Sequence, residues 1–314
     1  MLKSWMRFAV FSVMVFALGW QVGQVWGKTW HLEEGRFWRD VSRERQDKYL
    51  LVIARIKQLV NEGKAEAVGS AVAELKKEFP ELAGPDLDAF MEAEMLFYEG
   101  SYVKAVRSYD RFLAEFPESQ FYEAALEREF AIATAFLAGK KKRVLRVFKI
   151  RGYAEGIRIM ERITDRAGDA PIGIKAAVAV AKNYEQRGKF EQAYQQWSMI
   201  SSRWPTGQFG KEALLGMARC KHAAYRGPKY DASDLISART YYENFRLRYP
   251  EDANQMGIER IIERINEQLA YKQLSIGRYY ERAGNRQAAN FYYQMVADNW
   301  PESTAAKMVK QSQK

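Results

Sequence analysis

The chain has 314 residues, 47% of them hydrophobic and 28% charged, with a net charge of +10. That balance excludes wholesale disorder and allows one long array or two compact domains. Cys220 is the sole cysteine, so no intramolecular disulfide can form, and His31 and His222, the only histidines, lie in unrelated segments, which disfavours a metal centre built on His or Cys.

Residues 1–27 read as a secretory signal. Lys3 and Arg7 give a positive start, and Phe8 to Trp20 is an apolar run of 13 residues. A membrane-spanning helix needs about 20. Val25-Trp26-Gly27 offers a cleavage site after Gly27, and an uncleaved anchor reaching Trp26 is the alternative. No cysteine follows the apolar run, so no lipid can attach there. The expected location is the periplasm. Of the partners open to a basic chain, anionic lipid and acidic protein then come before nucleic acid, which is not expected. Residues 28–60 are expected to form a helical lead-in, 61–305 a repeat array and 306–314 a tail.

Self-similarity dominates the rest. Five segments end in an aromatic residue and a proline: Phe79-Pro80, Phe116-Pro117, Trp204-Pro205, Tyr249-Pro250 and Trp300-Pro301. Seventeen positions before four of these prolines stand Gly63, Gly100, Gly188 and Gly284. Twelve before stand Ala105, Ala193, Ala238 and Ala289, and eight before stand Tyr109, Trp197, Tyr242 and Tyr293. Twenty-four before stand Ala93, Ala181 and Gly277. The glycine tolerates the positive φ of a tight turn after helix A. Small residues let helices A and B cross closely, the aromatic fills their groove, and the proline stops helix B. These offsets describe a 34-residue helix-turn-helix unit of the tetratricopeptide type. About six units are present. The first is weak, with Val68 and Val72 at two of its slots, and the third is degenerate, running from Gly152 to Gly168 with Gly156 and Met160 in the small and aromatic slots. The prolines and Gly168 stand 37, 51, 37, 45 and 51 residues apart, so helices are extended or loops inserted. The predicted fold is all-α: such units stack into a right-handed superhelical solenoid, with no β-sheet of consequence.

Three pieces carry a resemblance to a known family: Tyr98-Glu99-Gly100-Ser101-Tyr102 leading to Phe116-Pro117-Glu118-Ser119, then Gly227-Pro228-Lys229-Tyr230-Asp231 followed by Tyr249-Pro250, and Gly277-Arg278-Tyr279-Tyr280 leading to Trp300-Pro301-Glu302-Ser303. Over roughly residues 60–305 the chain resembles the BamD or YfiO group of outer-membrane assembly factors. The resemblance implies a periplasmic scaffold that binds the barrel-inserting component and helps assemble outer-membrane β-barrels. The lipidated cysteine of that family is missing. A general periplasmic adaptor for cell-wall or division machinery is the alternative.

Two local features are candidate binding surfaces. Lys140, Lys141, Lys142, Arg143, Arg146 and Lys149 form a basic segment that could meet anionic lipid or an acidic partner. Their spacing reads as the solvated face of an amphipathic helix, with Arg143, Arg146 and Lys149 on one side. Aligned repeats place Lys182, Glu185, Arg278 and Glu281 at groove-facing positions of helix A, where cations could hold a peptide carboxylate. Cys220 reads as a small buried side chain. No Ser-centred elbow, phosphate loop or dinucleotide fingerprint occurs. No cofactor and no catalysis are expected.

Overall fold

The computed structural model describes residues 30–33, 37–40, 51–52, 55–56, 58–59, 62, 64–80, 83–144 and 148–312. The signal segment lies outside these, as do Gly63 and Arg146. The chain divides into two units, residues 1–166 and 167–314.

In the first unit, α1 (Ala65–Glu78) is followed by the hairpin α2 (Pro85–Tyr98) and α3 (Tyr102–Glu115), then by α4 (Tyr122–Leu137) and α5 (Tyr153–Ala167). Phe90 of α2 is fully buried and packs against Tyr109 and Phe112 of α3, with ring centroids 6.1 and 5.6 Å away, and stacks on Phe121 at 5.2 Å. The second unit runs α6 (Pro171–Gln186), α7 (Phe190–Arg203), α8 (Gly207–Ala224), α9 (Ser233–Arg248), the short α10 (Pro250–Met256), α11 (Ile258–Arg282), α12 (Arg286–Asn299) and α13 (Thr304–Ser312). Successive helices pack as hairpins around shared apolar clusters. One cluster joins α8, α9 and α11 through Leu214, Phe245 and Ile265. Another joins α6, α7 and α8 through Ala181, Trp197 and Ala213.

The repeat punctuation works as its chemistry dictates. All five aromatic residues preceding proline adopt nearly one backbone conformation, with φ between −127° and −138° and ψ between 59° and 73°. Proline disfavours the helical region for its predecessor, which is why the helix ends there. Gly100, Gly188 and Gly284 take φ of 72°, 68° and 78°. After each, the next residue's N–H reaches back to the carbonyl five positions earlier, as in Ser101 to Leu96 at 2.9 Å, satisfying an orphan helix carbonyl.

The small-residue slots sit under the aromatics. A Cβ on Gly277 would stand 2.5 Å from the Tyr293 ring, and one on Gly216 would stand 2.5 Å from Trp197. In the degenerate third unit, a Cβ on Gly156 would meet the Ala133 carbonyl at 2.9 Å, so α5 is its helix B and α4 its helix A.

Irregular spacings have visible causes. In the third unit an antiparallel hairpin, β3 (Lys141–Val144) and β4 (Phe148–Arg151), is inserted between helices A and B. This corrects the helical reading of the basic segment. β-branched Val144, Val147 and Ile150 with Phe148 favour strand, and Gly139 and Gly152 bracket it. The Gly152 N–H closes the base on the Lys140 carbonyl at 3.0 Å. The expected helical lead-in is corrected only over residues 30–33 and 37–40, while the described residues 51–52, 55–56 and 58–59 are helical. β1 (Trp30–Glu33) and β2 (Phe37–Asp40) pair antiparallel, in register Trp30 with Asp40, and Gly35 lies between two aromatic-rich runs. His31 therefore sits on a strand. The tail is in fact part of α13, where Ala305, Ala306 and Val309 bury against α11 and α12. The fold remains all-α with repeats of the tetratricopeptide type, and the strands are two local hairpins of four residues each side.

The close approach at Gly216 generates a contrast. Gly216→Ala is expected to cost roughly 1–3 kcal/mol, because the buried Trp197 ring cannot yield. Gly69→Ala in α1 has open space around it and should gain roughly 0.5–1 kcal/mol. Thermal melts of the two variants check both signs.

Candidate functional site

The predicted groove residues fall into two kinds. Glu185 of α6 accepts from the Trp197 indole N–H at 3.1 Å and from Arg219 of α8 through Nε at 2.5 Å and Nη2 at 2.9 Å. Glu281 of α11 accepts from the Tyr293 hydroxyl at 2.8 Å. Both carboxylates thus hold the aromatic of their own helix B, and Glu185 is further engaged by Arg219 while Glu281 stays exposed. Lys182 pairs with Glu212 of α8 at 2.6 Å. Arg278 is exposed, and Nη2 lies 3.7 Å from the Met308 sulfur of α13. Of the two cations, Lys182 has a carboxylate partner and Arg278 has none among the described residues. Their common helical register was legible, but their engagement was not, because the partners come from the next helices.

The same latch appears in the first unit in a more buried form. Glu94, on α2, accepts from the Tyr109 hydroxyl at 2.5 Å and from Arg128 of α4 at 2.7 and 3.2 Å. Arg128 also donates to the Tyr98 hydroxyl at 3.1 Å, and its guanidinium stands 5.0 Å from the Phe97 ring centroid. Burial opposes the charge on Arg128, yet the Glu94 carboxylate outweighs it and holds the guanidinium above its ordinary range. Burial, then the Glu94 charge, pushes the Tyr109 hydroxyl upward, so it stays a donor. Glu94 is the centre of this network.

A second polar cluster joins α3, α4 and α5. Asp110 takes Arg162 at 3.1 Å and Arg166 at 2.7 Å, and Arg166 also reaches the fully buried Glu129 at 3.3 Å. One Glu129 oxygen and the Arg162 Nε are buried without a hydrogen-bond partner. Burial first, and the Asp110 charge second, push the Glu129 carboxyl up to about 8. No motif in the sequence announced this cluster, because its members are spread over 56 positions.

The remaining candidates are quickly placed. Lys140 is exposed, with its ammonium 3.7 Å from the Tyr102 ring centroid. Lys141, Lys142 and Arg143 lie on β3, Lys149 lies on β4 opposite Arg143, and Arg146 is outside the described residues. Cys220 is buried, and burial pushes its thiol up to about 12, which suits a packed side chain and not a nucleophile. His222 accepts from or donates to Gln268 at 3.2 Å, and burial lowers its pKa. Among the described residues no group of three His, Cys, Asp or Glu is placed to hold a metal ion. No described helix is long and apolar enough to cross a membrane.

The described residues of the second unit also form an open concavity that sequence reasoning missed. A cleft of about 620 Å³ is lined by Arg260, Arg264 and Glu267 of α11 together with Trp300, Pro301 and Glu302. Glu267 is engaged there, accepting from the Thr304 N–H at 3.0 and 3.1 Å.

Two stability consequences follow. Arg128→Ala strands a buried Glu94 carboxylate and should cost about 3–5 kcal/mol, whereas Glu94→Gln combined with Arg128→Met should cost less than that single change. Denaturant unfolding of both variants checks the order. For Glu129, the native carboxyl titrates above its ordinary value of 4.5. Its stabilising contribution is therefore complete below pH of about 4.5 and lost as pH rises through about 8. Melting curves across that window should fall for the native chain and flatten in Glu129→Gln, with a difference on the order of a few kcal/mol at the alkaline end. Parallel curves for the two proteins would show that Glu129 carries no such linkage.

Comparison with known proteins adds to this geometry. Residues 214–312 match the family YfiO, described as an outer membrane lipoprotein. No curated protein sequence matches the chain. Among solved structures, PilW, a type IV pilus biogenesis factor, is 17% identical, with 85% of this chain and 98% of that one covered at a TM-score of 0.30. The apo form of RapI is 12% identical, covering 84% and 99% at 0.37. The C-terminal part of a tetratricopeptide-repeat protein from Cytophaga hutchinsonii is 13% identical, covering 85% and 98% at 0.37. By its repeat hairpins the chain is a repeat protein of the tetratricopeptide type, and the segment from within α8 to α13 is similar to the YfiO family over residues 214–312.

Proposed function

We propose that this chain is a non-catalytic periplasmic scaffold that binds other envelope proteins and takes part in assembling outer-membrane β-barrels. The observation that carries the reading is the match of residues 214–312 to the YfiO family of outer membrane lipoproteins. The physical setting supports it. A helical hairpin cannot bury its apolar faces alone, and stacked hairpins present long helix faces to a partner. The polar clusters described above tie neighbouring helices together. The partner implied by the likeness is the barrel-inserting component. Without a cysteine after residues 8–20, attachment to the membrane would run through residues 1–27 or through that partner.

Cross-linking in intact envelopes with the tagged full-length chain tests this. Recovery of barrel-assembly proteins, with an N-terminus at Lys28 by mass, is the expected outcome. Recovery of wall-synthesis or division proteins instead, with residues 1–27 retained, would replace it with an anchored adaptor for that machinery.

A further inference from the structure

Helix α11 is the longest described helix, 25 residues, and its outward face is unusual. At 100° per residue, Arg260, Arg264, Tyr271, Arg278 and Arg282 fall within about 40° of arc, a strip roughly 33 Å long. All five are exposed, Tyr271 by 47%. None of the four guanidiniums has a carboxylate within ion-pair distance among the described residues; Arg278 touches the Met308 sulfur and Arg282 donates to the Arg278 carbonyl at 3.2 Å.

Acidic residues are present on the same helix, with Glu267 at the edge of the strip and lining one cleft with Arg260 and Arg264, but none forms an ion pair with the four arginines among the described residues. Glu259 pairs with Arg246 of α9, Glu267 caps the Thr304 amide and Glu281 holds Tyr293. Only Glu263 is left, off the strip, and no ion pair joins it to the arginines. The charged residue along this ridge of roughly 33 Å is arginine, with no lysine among the four. It is the residue suited to bidentate recognition of carboxylates. Tyr271 midway and Met308, 37% exposed, beside Arg278 add apolar contact area between the charges.

We propose that the α11 ridge binds an acidic polypeptide segment of a partner protein, its carboxylates set against Arg260, Arg264, Arg278 and Arg282 and its apolar side chains against Tyr271 and Met308. This rests on the protein-binding reading above and names the surface and the chemistry of its partner. Charge complementarity selects the acid. The cleft at one end of the ridge selects a polypeptide over a lipid surface. Glu263 and Glu302 line it beside Arg260 and Arg264, and a uniform sheet of anionic headgroups would be pressed against both carboxylates. A discrete segment can register its charges with the arginines and seat a side chain against Trp300.

The test uses the full chain and a fluorescent random copolymer of glutamate and tyrosine, at about four glutamates per tyrosine, read by anisotropy. Replacing all four ridge arginines by Gln should weaken binding about tenfold or more. Replacing exposed Lys104, Arg107, Arg111 and Lys175 by Gln removes the same charge elsewhere and should change it less than about twofold. Thermal melts confirm that both variants fold. Equal weakening in the two would mean diffuse attraction and overturn the proposal. So would ridge-dependent binding to phosphatidylglycerol vesicles with none to the copolymer. In envelope cross-linking, a ridge variant that still captures the native chain's partners overturns the ridge while leaving the scaffold reading intact. Absence of any captured partner from the native chain sinks the scaffold reading itself.

Discussion

The structure depends on one steric relation: an aromatic ring on one helix seated over a residue with little or no side chain on its neighbour. Trp197 over Gly216 and Tyr293 over Gly277 show how tight the relation is, since even a methyl group would overlap the ring. Each such seat brings two helix backbones close enough for their apolar faces to exclude water. One hairpin closed this way still leaves its outer face exposed. The shared cluster around Trp197, which draws on α6, α7 and α8, is the consequence: hairpins are stable because the next one covers them.

Polar locks ride on this packing. Glu94 reaches Arg128, and Glu185 reaches Arg219, each 34 residues on. Thirty-four is the length of a repeat, so the acid on one helix A finds its base on the following helix A. In the first unit the register survives although a hairpin is inserted, because β3 and β4 come after α4 and leave the α2-to-α4 distance along the chain unchanged. Each acid also takes the hydroxyl or indole N–H of its helix B aromatic. The large ring can therefore be buried with its polar atom satisfied, which an apolar neighbour would not permit.

Much of this was legible because the repeat punctuation is local chemistry. Proline acts on its own predecessor and glycine on its own turn, so the ends of α3, α7, α9 and α12 could be placed from sequence. What failed had no such local marker. The segment from Lys140 to Arg151 fits both a helical and a strand reading, and pairing between β3 and β4 decides it. Thr304–Ser312 looked like a tail because its burial depends on α11 and α12, not on its own pattern. Glu185 and Glu281 hold matching positions of their repeats by sequence, but whether a carboxylate there is free depends on residues a turn or a repeat away. Glu129 and Asp110 carried no pattern at all; their proximity is a product of three helices meeting.

The distinction between engaged and unengaged charge is where structure adds most to composition. A net charge of +10 spread over a helical surface says little about binding. On α11, Glu259 pairs with Arg246 while Glu267 and Glu281 accept from the Thr304 amide and the Tyr293 hydroxyl, and the four arginines lie along one strip with no ion pair among the described residues. Glu267 and Glu281 thus tie neighbouring helices together while standing on the same helix as the arginines. In a scaffold of this type the internal latch and the external recognition surface draw on one pool of charges. A substitution in the latch, such as at Tyr293 or Thr304's helix, would release an acid toward the strip and alter recognition without touching the strip itself.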